Sequence, residues 1–224
     1  MTTNRQILMK TRPVGMPKLE NFDVIESNMP EARHGEVLIK ILWLSLDPYM
    51  RGRMSKAKSY AASLNEGDLI LGGAVGKVIN SHTPEYKEGD IVEGFALGWQ
   101  EYAIANPASI RKINPNLAPI QTAVGVLGMP GMTAFFGLLH IGKPIPGDTV
   151  VVSAASGAVG QLVGQIAKIG GCHVVGIAGG KEKCDYLINT LNFDAAIDYK
   201  NENVDDMLDK YCPNGVNVYF DNVG

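Results

Sequence analysis

Up to about residue 115 the apolar positions fall in short runs of Val, Ile and Leu separated by Gly, Pro and Asn, and such runs predict a β-rich domain. They place strands at 5–10, 22–26, 36–46, 69–80, 90–97 and 101–105. One signal interrupts them. Asp47-Pro48 sets a capping carboxylate before a proline whose torsion already suits a first helical turn, which predicts a short helix over 49–54.

Beyond Asn114 the spacing changes. Residues 117–127 and 130–140 predict two helices, the second opened by Pro130 and carrying Phe135, Leu138 and Leu139 at helical spacing. From Gly147 onward strands at 149–154, 173–178, 195–199 and 216–221 alternate with helices at 159–169, 182–191 and 204–211. In the first of these helices Leu162, Val163 and Ile166 share one face. Regular alternation of strand and helix predicts a parallel sheet, doubly wound because crossovers are right-handed. The fold class is therefore α/β, with a β-rich first domain over 1–118 and four strands of a doubly wound sheet over 119–224.

Composition narrows the class. With 46% hydrophobic and 19% charged residues the 224-residue chain is neither disordered nor a membrane bundle. Twenty Lys and Arg against 23 Asp and Glu, without a run of one sign, argue against nucleic acid or an anionic membrane as partner. The stretch 113–142 has no charged residue and is long enough to span a bilayer, but Asn114, Asn116, Gln121 and three prolines interrupt it. It reads as a buried pair of helices. Cys172, Cys184 and Cys212, odd in number and without a C-x-x-C pair, suit the reduced thiols of a cytoplasmic protein, and Met1 to Lys10 lack the apolar core of a signal peptide. A zinc site is not expected: no cysteine precedes residue 172, and His34, His82 and His140 lie in separate segments without a ligand spacing.

The chemistry concentrates in Ala155-Ser156-Gly157-Ala158-Val159-Gly160, directly after a predicted strand and at the opening of a helix. A dinucleotide turn needs a residue without Cβ where backbone meets pyrophosphate and another where helix packs on strand, roles that Gly157 and Gly160 fit. Ala155 stands in place of the first glycine. A structural turn without a ligand is the other reading. The next strand ends Ile177-Ala178-Gly179-Gly180, without the acid that binds ribose hydroxyls in an NAD site, and Lys181 and Lys183 follow. Missing repulsion and added attraction favour a ribose phosphate, hence NADP, unless both lysines merely decorate a solvated helix start.

Four segments carry a family resemblance: Leu44-Ser45-Leu46-Asp47-Pro48-Tyr49-Met50-Arg51, Leu127-Gly128-Met129-Pro130-Gly131-Met132-Thr133-Ala134, Ala154 to Gly160, and Tyr219-Phe220-Asp221-Asn222-Val223-Gly224. In this order they resemble the zinc-independent medium-chain dehydrogenases/reductases, and within them the group of prostaglandin reductases, alkenal double-bond reductases and bacterial curcumin reductases. The resemblance implies a GroES-like substrate domain followed by an NADP-binding Rossmann domain. It also implies NADPH-dependent, metal-free reduction of the carbon-carbon double bond of an α,β-unsaturated aldehyde or ketone. Hydride reaches the β-carbon, charge develops on the carbonyl oxygen, and a proton reaches the α-carbon.

By the same resemblance Tyr49 and Tyr60 line the substrate cleft as contacts or oxyanion donors, although each also reads as a half-buried packing residue. Met129 and Thr133 fall near the nicotinamide, Gly157 with Ala158 and Val159 at the pyrophosphate, Lys183 and Tyr199 at the ribose phosphate, and Asn222 near the nicotinamide ribose. The expected partner is a small enone or alkenal, with a homodimer as the family's assembly. Two other readings stay open. A zinc-free quinone reductase is one, against which Asp47 to Arg51 speak. A non-catalytic NADP-binding chain is the other, because the strand count stops at four of the order 3-2-1-4-5-6, as in a chain truncated at its C-terminus, with the fourth strand an exposed edge.

Overall fold

The computed structural model describes residues 3–57 and 62–223, and the chain divides into two units, Met1–Val124 and Gly125–Gly224. In the first, the Val- and Ile-rich runs become β1 (Thr3–Met9), β2 (Phe22–Asn28), β3 (Val37–Leu44), β4 (Ala74–Ser81), β5 (Ile91–Gly94), β6 (Tyr102–Ala105) and β7 (Ile110–Ile113). β1 and β2 pair as an antiparallel ribbon, and the others form one antiparallel sheet in the order β6-β3-β4-β5-β7. Val37, Ile39, Val78 and Val92 are fully buried between them, each stabilising the unit by about 1.5–3 kcal/mol relative to exposure. Gly76 lets β4 approach β3, since a Cβ there would lie 2.3 Å from Ile39 Cγ2 and 2.6 Å from the Lys40 carbonyl. The register shifts at Leu38/Ile39 and Ile41/Trp43 flank this point.

Several expectations are corrected here. The strand expected at 69–80 is only β4; Leu69 makes a single bridge to Leu8, and Gly72 packs where a Cβ would collide with Met50 Cε at 2.5 Å. The strand expected at 90–97 stops at Gly94, whose bare Cα lies against the Ser109 carbonyl. β7 was not expected, because the exposed Arg111 and Lys112 make an edge strand look like a loop. The short helix forms as α1 (Tyr49–Arg53), but Pro48 is its cap and no side chain caps it; Asp47 contributes its carbonyl, accepting Met50 N–H at 3.1 Å, rather than its carboxylate. No helix spans 117–127. A 3-10 segment, Ile120–Val124, follows Pro119 instead, and Gly125 then accepts from the N–H groups of both Gly128 and Gly131, which folds the chain into turns.

In the second unit four strands, β8 (Thr149–Val152), β9 (His173–Ala178), β10 (Ala195–Asp198) and β11 (Val218–Phe220), pair in parallel in the order β10-β9-β8-β11. The crossovers carry α3 (Gly160–Ile169), α4 (Lys181–Asn189) and α5 (Val204–Tyr211), preceded by α2 (Met129–Phe135). Because successive side chains of a strand point to opposite faces, Val150, Val152 and Val174 pack with Val163 of α3 and Leu187 of α4, while Val151, Val175 and Ile197 pack with Val204 and Leu208 of α5. Both faces of the sheet are covered, as a doubly wound α/β unit requires.

The uncharged stretch does not form a buried helix pair. α2 passes into a π-helix at Phe136–Gly142, closed by Lys143 at φ 51°. Along α2 and the π-helix only Pro130, Gly131, Ala134 and Leu138 are buried, whereas Met132, Phe135, Phe136 and Ile141 are exposed. Gly137 sits where Phe220 of β11 leaves no room for a Cβ. Among the described residues no helix is long and apolar enough to cross a membrane.

Candidate nucleotide-binding site

The chain leaves β8 through 153–159 before α3 begins. Ala154 takes a left-handed φ of 43°, so the strained position of the turn is Ala154 and not Ala155, the residue aligned with the first glycine of the motif. Ala155 is fully buried and donates its N–H to the Ile177 carbonyl of β9 at 3.0 Å. Gly176 opposite gives its methyl space, since a Cβ there would lie 2.9 Å away. At Gly160 a Cβ would stand 2.5 Å from the Ala154 carbonyl and 2.8 Å from Ala155 Cα, so helix and loop touch backbone to backbone. Gly157 is less crowded, with only the Ala154 carbonyl at 3.1 Å from its Cβ position. Gln161 donates its N–H to the Gly157 carbonyl at 3.1 Å, and Leu162 and Val163 donate theirs to the Val159 carbonyl at 3.0 Å, so the first turn of α3 is closed onto the loop, with the positive end of the helix facing it.

Beside this loop a cleft of about 670 Å3 opens between the C-terminal ends of the strands. Ser156, Gly157, Gly179, Lys183, Tyr199 and Asp221 are among the residues that line it. The two candidate lysines differ. Lys181 is paired with Asp185 at 2.6 Å, whereas Lys183 is exposed on the cleft and has no ion pair or hydrogen bond among the described residues. The Tyr199 ring lies against Gly179, where a Cβ would come within 2.7 Å of the phenolic oxygen. No carboxylate stands at the end of β9. The acid there comes from β10: Asp198 accepts the Gly180 N–H at 2.7 Å, and its hydrogen bonds from Asn201 and from that N–H hold its carboxyl below the usual range.

A second network sits at the β8/β11 ends. Ser153 Oγ donates to Asp221 Oδ1 at 2.6 Å and accepts the Asn222 N–H at 2.7 Å, and Asn222 Nδ2 donates to the Ser153 carbonyl at 2.9 Å. Asn222 thus ties two strand ends together and does not line the cleft, while its neighbours Asp221 and Val223 do. Ala158 and Val159 complete the loop without lining it. Met129 and Thr133 lie on α2, outside the cleft, with the Thr133 hydroxyl donating to the Met129 carbonyl at 2.8 Å. Tyr49, half-buried, opens α1 in the first unit. Tyr60 lies outside the described residues. Sequence reasoning missed Ser153, Asp198, Tyr219 and Asp221; only the last two fall in a segment already singled out, the closing Tyr219 to Gly224. Among the described residues no three His, Cys, Asp or Glu side chains gather as a metal-binding group.

Comparison with known proteins agrees with this architecture. Residues 5–113 match the family described as the N-terminal domain of oxidoreductase, and residues 158–224 match the family described as zinc-binding dehydrogenase. The chain is 49% identical over 223 residues to the putative NADP-dependent oxidoreductase YfmJ of Bacillus subtilis, covering 99% of this chain and 65% of that protein. It is 45% identical over 229 residues to a 2-alkenal reductase (NADP(+)-dependent) of Nicotiana tabacum, covering 99% and 66%. The crystal structure of CurA in complex with NADPH from Vibrio vulnificus superposes with a TM-score of 0.92 at 48% identity, over 98% of this chain and 65% of that one. The chain spans about 65% of the length of the curated relatives it matches. With both domain matches in order and identities above 40% along its whole length, the chain belongs to the medium-chain dehydrogenase/reductase family, in the group of the curcumin and alkenal reductases.

Proposed function

We propose that this chain works in the NADPH-dependent reduction of the carbon-carbon double bond of α,β-unsaturated aldehydes or ketones, in the cytoplasm. The observation that carries the reading is the unpaired Lys183 beside Tyr199 and Gly179, in a cleft whose β9 end bears no acid. These residues fit a 2′-phosphorylated dinucleotide. Gly157 and Gly160 hold the loop tight against the start of α3 for the pyrophosphate, with Ala158 and Val159 offering backbone N–H groups. Lys183 and Tyr199 bind the 2′-phosphate, the first by charge and the second by its hydroxyl. For the nicotinamide side, which lies beyond this cleft, Asn222, Met129 and Thr133 are the residues assigned, on the family likeness alone.

The bound cofactor supplies a hydride. The chain's own part is to orient and to stabilise: Tyr49, with Tyr60, donates a hydrogen bond to the substrate carbonyl oxygen as negative charge grows there, so that charge is met by a donor already in place. A substrate domain over 1–118 carries these contacts and a nucleotide domain over 119–224 the cofactor. A homodimer is the proposed assembly.

Steady-state NADPH oxidation with a 2-alkenal, with a quinone and with no acceptor tests the reading. Turnover with the alkenal alone is expected. Preference for the quinone transfers the protein to the quinone reductases, and nucleotide binding without any turnover makes it a binding chain.

A further inference from the structure

We propose that Asp198 is a positioning residue for the 2′-phosphate, holding Gly180 and Tyr199 so that both sides of that subsite keep their geometry; the inference rests on the assignment of Lys183 and Tyr199 above. Asp198 is the last residue of β10 and is 9% exposed. Its Oδ1 accepts the N–H of Gly180 at 2.7 Å and of Lys200 at 3.1 Å, and its Oδ2 accepts Asn201 Nδ2 at 2.7 Å. Its own N–H donates to Glu202 Oε2 at 2.7 Å. The carboxylate does not line the cleft. The bond from Gly180 ties the end of β9 to Asp198, and the bonds with Lys200, Asn201 and Glu202 hold the turn that follows β10 around the same carboxylate.

What those bonds fix is the subsite. Gly180, at φ 101°, is the cap of α4, and its carbonyl accepts the Cys184 N–H at 3.2 Å to start the helix whose third residue is Lys183. Tyr199 follows Asp198 directly and donates its N–H to the Ala178 carbonyl at 3.1 Å. The Tyr199 ring therefore leans on Gly179 between two anchors, one its own backbone bond and the other the Asp198–Gly180 bond. The pyrophosphate loop has separate anchors, Ala155 to Ile177 and Ser153 to Asp221. Loss of Asp198 should loosen one subsite and leave the other in place.

Adenosine 2′,5′-bisphosphate and 5′-AMP differ only in the 2′-phosphate, and calorimetric binding of both to the purified chain reads that difference. Wild type is expected to prefer the bisphosphate. Asp198→Ala should weaken the bisphosphate about tenfold, the size of one supporting hydrogen bond to a charged group, and 5′-AMP less than about twofold. Asp198→Asn keeps an acceptor for Gly180 and should recover most of the preference. Asn201→Ala removes only an exposed donor to Asp198 and should cost about threefold on the bisphosphate alone; it decides the matter if Asp198→Ala does not fold. In the double variant with Tyr199→Ala the losses should fall short of the product of the two single losses, because both changes act on one contact. Equal losses for the two nucleotides, no loss in any variant, or multiplicative losses overturn the role of Asp198. A wild type that does not distinguish the two nucleotides overturns the Lys183 and Tyr199 assignment, and the inference with it.

Discussion

The Tyr199 hydroxyl oxygen lies only 2.7 Å from where a Cβ on Gly179 would be, so the ring occupies the space that glycine leaves at the end of β9. Tyr199 is 56% exposed and its ring can swing away, which makes Gly179→Ala cheap for folding: the expected loss is about 0.5 kcal/mol, as for an ordinary surface change. The displaced ring should nevertheless weaken NADPH more than NADH. Thermal melts and cofactor titrations check the pair of outcomes; a large fall in Tm with unchanged cofactor preference would make Gly179 a folding residue only.

Gly160→Ala is the opposite case. The atoms a new Cβ would meet, the Ala154 carbonyl and Ala155 Cα, belong to backbone and cannot rotate out of the way. The expected cost is about 1–3 kcal/mol from overpacking, a fall of several degrees in Tm for a chain of this length. A melt within a degree of wild type would show that the loop relaxes.

Lys183→Ala should weaken NADPH by about 1.5–3 kcal/mol, the range for a hydrogen bond to a charged group, and hardly touch NADH. Because Lys183 is exposed on the cleft, the difference should shrink with added salt as the pair is screened. Lys181→Ala, which removes a lysine already paired with Asp185, is the control and should leave the cofactor preference unchanged. Equal losses for the two cofactors in Lys183→Ala count against the assignment.

Tyr49→Phe removes one hydroxyl and leaves α1 intact, since that helix starts from Pro48 and the Asp47 carbonyl. If the hydroxyl meets the developing oxyanion, kcat with a 2-alkenal should fall about 10- to 1,000-fold. The check is kcat at saturating substrate in this chain and in a full-length relative. A value equal to wild type returns Tyr49 to packing.

Acid should destabilise the second unit through Asp194. Burial pushes its carboxyl up, but the Lys168 ammonium at 2.7 Å and the Val174 N–H at 2.6 Å outweigh that and leave it below the usual value. A carboxyl depressed on folding adds stability above its unfolded pKa, and that stability is lost as pH falls through the ordinary carboxylate range and then through the folded value. Urea melts between pH 7 and pH 3 should therefore show a steeper acid loss for wild type than for Asp194→Asn. Parallel curves for the two proteins would remove Asp194 from the acid response.

From Gly147 onward, periodicity alone is enough for the second unit. Val150 to Val152, Val163 and Val174 to Val175 declare their strands and helix because burial on both faces of a parallel sheet demands unbroken apolar runs joined by amphipathic crossovers. Of the candidate site, Gly157, Gly160 and Lys183 sit at places that local spacing picks out, directly after a strand or at the head of a helix, whereas Ser153 and Asp198 carry no such local signal. Where the sequence misleads there are two causes. Over 117–127 the cause is local, because Ile120–Val124 follow Pro119 as a 3-10 segment and the chain folds back through Gly125; at 110–113 the exposed Arg111 and Lys112 hide an edge strand whose pairing with β5 only the sheet supplies.

What the sequence by itself determined is the alternation of strand and helix from residue 147 onward, the α/β class and the position of the glycine-rich turn between β8 and α3, all set by side-chain period and local backbone preference. Only the tertiary structure decided that Ala154 and not Ala155 takes the left-handed turn, that Lys183 and not Lys181 is left unpaired, and that the acid at the end of β9 comes from Asp198 on the neighbouring strand. Ser153 and Asp221 meet across 68 positions of chain for the same reason. Such pairs form because parallel strands bring their C-terminal ends side by side, and no local pattern of residues encodes which loops will then share an edge.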